Sequence, residues 1–166
     1  MTVQPTLRLA TGEDASGIAR LSRDRIEHGL GWSWTTPRVM RSIRDRATNV
    51  VVAHGDAEDG TGDARMLGFG IMKYHDDESH LLLLAVQPGV VRRGIGASMM
   101  NWLEHAALIA GIGQVYLEAR LTNGGARAFY ARLGYREIQT LPGYYDGREA
   151  CVRLAKDLWL TRAAPA

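Results

Sequence analysis

The segment Val86-Gln87-Pro88-Gly89-Val90-Val91-Arg92-Arg93-Gly94-Ile95-Gly96-Ala97 carries the chain's most informative chemistry: a strand-like run that turns through glycine straight into a helix. Helix N-termini hold unpaired N–H groups and about half a positive charge, and glycine lets a phosphate come close to the backbone. Arg92 and Arg93 add full charges at the same point, so the stretch from Arg92 through Gly94, Ile95 and Gly96 to Ala97 predicts a phosphate or pyrophosphate cradle. The same pattern also suits a helix start that simply needs a glycine pair.

Other chemistries fail on inspection. A nucleoside-triphosphate loop ends in Gly-Lys-Ser or Gly-Lys-Thr, which is absent, and a dinucleotide fingerprint needs a third glycine where Met99 stands. There is no Gly-x-Ser-x-Gly nucleophile turn and no His-Glu-x-x-His zinc helix. The histidines at 28, 54, 75, 80 and 105 are dispersed without ligand spacing, so no metal is expected. Cys151, the single cysteine, has no partner for an internal disulfide and reads as a small buried hydrophobe.

The elements that must position these residues follow from periodicity. Leu7 to Ala10 reads as a short strand; Thr11, Glu13 and Asp14 open a helix to about His28 with Ile18, Leu21 and Ile26 on its apolar side; a second short helix follows Pro37. Between the helices, Trp32 and Trp34 either plug the core or line a ligand mouth. Asn49 to Ala53, Arg65 to Tyr74 and His80 to Gln87 form an antiparallel meander, and the uninterrupted Leu81 to Val86 predicts a central strand covered on both faces. Pro88 to Gly96 comes next, and then a helix to about Ala110 with Ile95, Met99, Leu103 and Ala107 at helical spacing. A strand Gln114 to Arg120, a helix Gly124 to Leu133 capped by Gly134, and a strand pair Tyr135 to Thr140 and Glu149 to Leu154 around Leu141 to Gly147 complete the chain. The expected fold is α/β, of the α+β mixed-sheet kind: a central, mostly antiparallel sheet flanked by about four helices.

With 166 residues, one domain is expected over 1–166, with 161–166 a flexible tail. Nineteen glycines, where roughly 12 would be average, are mostly punctuation at turns and helix ends, although Gly68 and Gly70 inside one strand suggest a bend or a close backbone approach. A net charge of +2 gives no basis for a nucleic-acid or membrane partner. The longest aliphatic stretch is six residues and the N-terminal MTVQPTLRL lacks a secretory apolar core, so a cytoplasmic setting is expected.

Several motifs in order now resemble a known family. AVQP before RRGIGA, the strand YLEARLTN and the helix ending AFYARLGY look like the GNAT superfamily of N-acetyltransferases, whose Q/R-x-x-G-x-G/A loop binds the pyrophosphate of acetyl-coenzyme A. The resemblance covers roughly Arg65 to Leu158. It is nearest to the ribosomal-protein-alanine and other N-terminal peptide acetyltransferases, through Glu118, Arg120, Thr122 and Asn123, the stretch Phe129 to Tyr135, and the late loop Tyr144 to Ala150. Val91 departs from the family, standing where Gln or Arg is expected; Arg92 and Arg93 can supply that charge.

The resemblance implies a GNAT-like fold and acetyl-CoA as co-substrate. Leu84, Ala85 and Val86 would pair with the pantetheine arm, the Val86 N–H being the natural oxyanion donor. Residues Arg92 to Ala97 would hold the pyrophosphate, and Asn123 would contact the coenzyme. Tyr130 would be the general acid and Glu118 the general base, acting through water. Taken singly, Glu118 reads as strand surface and Tyr130 as core; their spacing around Asn123 favours the catalytic roles. Tyr144 and Tyr145 match a loop that contacts the first peptide units in N-terminal acetyltransferases, or else cap the core beside Cys151, with Trp32 and Trp34 as a possible opposite wall.

An α-amine has a pKa near 7.8 and a lysine amine one near 10.4, so neutralising lysine costs about 3.5 kcal/mol more. The expected acceptor is therefore a protein N-terminus. The alternatives are a small amine (amino acid, polyamine or antibiotic) or, in another class, an acyl-CoA-binding sensor without turnover. Monomer and homodimer are both open.

Overall fold

The computed structural model describes residues 5–27, 29, 31–55, 65–91, 94–145, 147 and 149–163; at 145 and 161–163 it describes the backbone alone. Strand β1 (Thr6–Leu9) leads through a 3-10 turn (Gly12–Asp14) to helices α1 (Ala15–Arg25) and α2 (Thr36–Arg44). Then come β2 (Thr48–Gly55), β3 (Arg65–Tyr74), β4 (Glu78–Val86), α3 (Ile95–Ile109), β5 (Gln114–Arg120), α4 (Gly124–Arg132), β6 (Arg136–Tyr145), β7 (Glu149–Asp157) and α5 (Leu158–Ala163). The seven strands run in the order β1-β2-β3-β4-β5-β7-β6, so β4 is central as expected. The pairs β1–β2, β5–β7 and β6–β7 are antiparallel, and β4–β5 is parallel. The mixed, mostly antiparallel α/β fold is the one expected.

Two compact units divide the chain. The first comprises Met1–Met72 and Leu83–Leu103. Its core is Val50, Val51, Val52 and Ala53 of β2 and Leu67, Phe69, Ile71 and Met72 of β3, with Ile18 and Leu21 of α1, Val39 of α2 and Met99, Met100 and Leu103 of α3 also buried. Each large aliphatic or aromatic side chain so buried contributes about 1.5–3 kcal/mol. Thr11 N donates to Asp14 Oδ2 at 2.7 Å, and Arg8 grips the same carboxylate, so the helix start lies where Thr11, Glu13 and Asp14 predict it. The regular helix begins at Ala15 after the 3-10 turn and ends at Arg25, short of the predicted His28, which lies outside the described residues.

Gly68 is a close approach. A Cβ built there meets the Ala85 carbonyl oxygen at 2.7 Å and Val86 Cα at 3.3 Å. Gln87 N donates to Leu67 O at 2.8 Å, so residues 85 and 87 turn their backbone groups toward β3 and the Val86 N–H points to the opposite edge of the strand. Burial along β4 alternates: Ser79, Leu81, Leu83 and Ala85 are buried while Leu82, Leu84 and Val86 are half-buried. Both faces are covered, one more completely than the other.

The second unit comprises Lys73–Leu82 and Glu104–Ala166. Val115, Leu117 and Ala119 of β5 and Cys151, Val152 and Leu154 of β7 form its core with Tyr130, Tyr135 and Leu158. Here the sequence-based boundaries shift. Strand β6 continues through Leu141, Pro142 and Gly143 to Tyr145, so these residues do not form the hairpin turn expected of them. The register slips between Leu141 and Tyr145 instead; proline and a glycine at φ 65° are tolerated because they sit in that irregularity. Helical backbone also extends through Ala163, into the stretch expected to be a tail. Gly134, at φ 94°, ends α4 as predicted.

Candidate functional site

Glu118 lies on β5 directly opposite Arg153 of β7, one position beyond the β4–β5 ladder that sets His80 beside Tyr116. Alternation along β5 puts Tyr116 and Glu118 on one face of the sheet. The His80 imidazole stacks on the Tyr116 ring, 4.2 Å between centroids and 15° between planes, and its Nε2 stands 2.6 Å from Glu118 Oε2. Arg153 donates from Nη2 at 2.9 Å and from Nε at 3.2 Å to the other oxygen, Oε1. Both oxygens of one carboxylate are thus occupied, by an imidazole on one side and a guanidinium on the other.

The Glu118 side chain is only 6% exposed. Burial pushes its carboxyl upward, but the His80 imidazole and then the Arg153 guanidinium outweigh burial and hold it below the ordinary carboxylate range. An ionised carboxylate only accepts hydrogen bonds, so His80 Nε2 carries the hydrogen and, in the neutral ring, Nδ1 is the basic nitrogen. Among the described residues Nδ1 has no partner. His80 fits no metal-ligand spacing in the sequence; its pairing with a residue 38 positions away is a product of strand register.

Tyr144, on β6, is 46% exposed, and burial and then the Glu118 charge raise its phenol above the ordinary tyrosine value. Glu118, Cys151, Arg153 and Tyr116 are its electrostatic neighbours. Tyr144 thus lies within electrostatic reach of Glu118, while the Tyr145 side chain lies outside what is described. Cys151 is fully buried, and its thiol is pushed up by that burial.

Tyr130 is buried, with its ring edge-on to Phe129 and Tyr135 at 5.0 and 5.7 Å. Behind it, Tyr135 donates its hydroxyl to Glu104 at 3.2 Å, and Lys156 donates to the same carboxylate at 2.7 Å. Burial and Glu104 drive the Tyr135 phenol far up, so it stays protonated. This network was not visible in the sequence. Asn123 caps α4, its Oδ1 accepting from Ala126 N at 3.0 Å, which leaves its amide nitrogen to donate elsewhere.

In the first unit, Ile95 opens the 15-residue helix α3 directly after Gly94. Gly94 has φ 81°, and a Cβ there would meet nothing within 4 Å, so the backbone is open to a ligand on that side. A coenzyme pyrophosphate fits such a turn, with Gly94, Ile95, Gly96 and Ala97 supplying helix N-terminal groups. Arg92 and Arg93 lie outside the described residues; Val91 is 43% exposed. The tryptophans divide: Trp34 is buried with the Arg38 guanidinium 3.9 Å from its ring, whereas Trp32 is 44% exposed beside Arg23. Among the described residues no cluster able to hold a metal ion is found, and no helix is long and apolar enough to cross a membrane.

Comparison with known proteins now bears on this geometry. The profile of the Acetyltransferase (GNAT) family matches residues 21–135. The chain is similar to the [Ribosomal protein bS18]-alanine N-acetyltransferase of Escherichia coli, 33% identical over 98 residues, 57% of this chain and 66% of that protein. It thus matches a little less than two thirds of that relative's length. An N-alpha-acetyltransferase of Sulfolobus acidocaldarius is 26% identical over 154 residues, 90% of each chain. Among solved structures, Arabidopsis thaliana NAA60 in complex with acetyl-CoA superposes with a TM-score of 0.79 at 18% identity, over 93% of this chain and 99% of that one, which is a likeness of fold.

Proposed function

Since the chain belongs to the acetyltransferase (GNAT) family, we propose that it is an acetyl-CoA-dependent N-acetyltransferase that acetylates the α-amine at a protein N-terminus by direct transfer. The observation that carries this reading is the His80–Glu118 pair, 2.6 Å apart, with Glu118 held ionised. An amine becomes a nucleophile only when neutral, and an imidazole oriented by a buried carboxylate is a group that can accept its proton. The relatives named as a ribosomal-protein-alanine N-acetyltransferase and as an N-alpha-acetyltransferase support an α-amine as the acceptor.

Acetyl-CoA supplies an activated acyl thioester. The chain's own groups do the rest. His80 Nδ1 takes the amine proton, and Glu118 stabilises the imidazolium so formed, as an oriented carboxylate does for any catalytic histidine. The Val86 N–H, turned away from β3, is the donor available to the thioester carbonyl oxygen. Tyr130 Oη holds the proton destined for the departing sulfur. The turn Arg92 to Ala97 binds the pyrophosphate, and Asn123 Nδ2 and the Leu84 backbone contact the coenzyme, while the Ala85 backbone, turned toward β3, only holds the strand. Tyr144, Tyr145 and the exposed Trp32 contact the peptide; Trp34 is buried and takes no part in that contact. The reading includes a cytoplasmic setting and a single catalytic domain, which fit a chain with one buried free cysteine.

The test is free-thiol release from acetyl-CoA against N-terminal peptides, lysine peptides, polyamines and aminoglycosides. Peptides with a free N-terminus should be the best acceptors. Release only with polyamines or aminoglycosides would make the enzyme a small-molecule acetyltransferase, and coenzyme binding without release would make it a sensor.

A further inference from the structure

Arg153 spends two of its nitrogens on Glu118 Oε1, through Nη2 and Nε, and among the described residues its Nη1 has no partner. The guanidinium is held in place, not free to swing: besides the two bonds to one oxygen, it lies 5.6 Å from the Tyr116 ring centroid. Its side chain is 31% exposed whereas the Glu118 side chain is 6% exposed. The Glu118 carboxylate is therefore inside and already matched, and the Arg153 guanidinium is the charged group of the pair that reaches solvent; Glu78 is the other carboxylate whose charge reaches Tyr116. Tyr144, a neighbour of Glu118 and Arg153, adds a phenol but no negative charge.

That arrangement is the wrong one for a polyamine or an aminoglycoside, whose extra ammonium groups would meet a guanidinium. It suits an acceptor with a carboxylate close to the reacting amine. His80 and Arg153 bracket a single carboxylate, one on each oxygen, so groups held by the two belong to neighbouring parts of one acceptor. A planar guanidinium with a free N–H edge is the side chain best matched to such a group.

We infer that Arg153 is a specificity-determining residue: its outward edge binds a carboxylate carried beside the acceptor amine, so that acidic acceptors are selected over neutral and basic ones. The inference rests on the acetyltransferase reading above. The carboxylate has two sources, an Asp or Glu side chain at the first or second position of a peptide, or the α-carboxylate of a free amino acid. The interaction is partly exposed, so the preference weakens as salt is added.

The experiment measures kcat/KM by thiol release for matched peptides with Asp, Ala or Lys at the first and second positions, and for free amino acids, using the wild type, Arg153→Gln and Arg153→Lys. The wild type should prefer the acidic over the basic peptide by about tenfold, the worth of one charge-assisted hydrogen bond. That ratio should fall toward one in Arg153→Gln, persist in part in Arg153→Lys, and shrink between low and high salt in the wild type, a readout that needs no variant to fold. Because Arg153→Gln also frees Glu118, a uniform loss of rate is expected with it; the ratio between acceptors isolates the specificity effect. Peptides acetylated with no preference for acid, or a preference unchanged in Arg153→Gln, overturn the inference and leave the N-terminal reading intact. Free amino acids accepted and peptides refused, with the same dependence on Arg153, retain the inference and overturn the peptide reading. Turnover with no acceptor of either kind overturns both.

Discussion

His80 Nε2 stands 2.6 Å from Glu118 Oε2 across two neighbouring parallel strands. A pair that works as a unit has a kinetic signature. His80→Ala and Glu118→Gln should each lower kcat by about 10²-fold or more, and the double variant should lose little beyond the worse single one. Steady-state kcat for the three variants checks this; losses that multiply would mean that the two side chains act independently.

The same pair sets an acid limit on stability. The Glu118 carboxyl lies below its ordinary value in the folded chain, so the ionised form is favoured by folding. Its contribution is fully present above the unfolded carboxyl value of about 4.3 and is lost as pH falls through the lower folded value. Thermal unfolding of wild type and Glu118→Gln should therefore differ most near neutral pH and converge below about pH 4. A constant difference across that range would contradict the assignment.

Tyr130 packs its ring against Phe129 and Tyr135, contacts that phenylalanine keeps. Tyr130→Phe should keep coenzyme affinity within a few-fold while kcat falls by about 10²-fold. Calorimetric titration with coenzyme A and a turnover assay separate the two quantities, and full turnover would remove Tyr130 from the proton path.

Lys156 and Glu104, 2.7 Å apart and both nearly buried, form a pair whose disruption leaves the carboxylate without its counter-charge and with the Tyr135 hydroxyl as its remaining donor. Lys156→Met should cost about 3 kcal/mol in a denaturation experiment. Gly68→Ala should cost about 1–3 kcal/mol by a different route, because the new methyl would meet the Ala85 carbonyl at 2.7 Å and force β3 and β4 to shift. An unchanged unfolding midpoint in either variant contradicts the corresponding contact.

Much of this was legible in the chain. The strand Gln114–Arg120 and the start of α4 lie where periodicity and glycine place them, α3 begins at Ile95, inside the Pro88–Gly96 segment expected to precede it, and Gly68 marks the close approach that a mid-strand glycine suggests. The limits are physical. Periodicity reports which face of its own element a residue occupies, whereas the His80–Glu118 and Arg153–Glu118 contacts join residues 38 and 35 apart through strand register. Pro142-Gly143 reads as a turn because proline and glycine disfavour a regular strand; the slipped register of β6 accommodates them without one. The resemblance pointed to Glu118, and only the structure supplied its partners.

The most direct test uses one peptide with a free N-terminus and an internal lysine, incubated with acetyl-CoA and the enzyme near neutral pH, with the acetyl group located by fragment mass spectrometry. Acetylation at the α-amine, abolished in His80→Ala, is the predicted result. Acetylation on the lysine side chain, or none on a folded enzyme that binds acetyl-CoA, would contradict the proposed function.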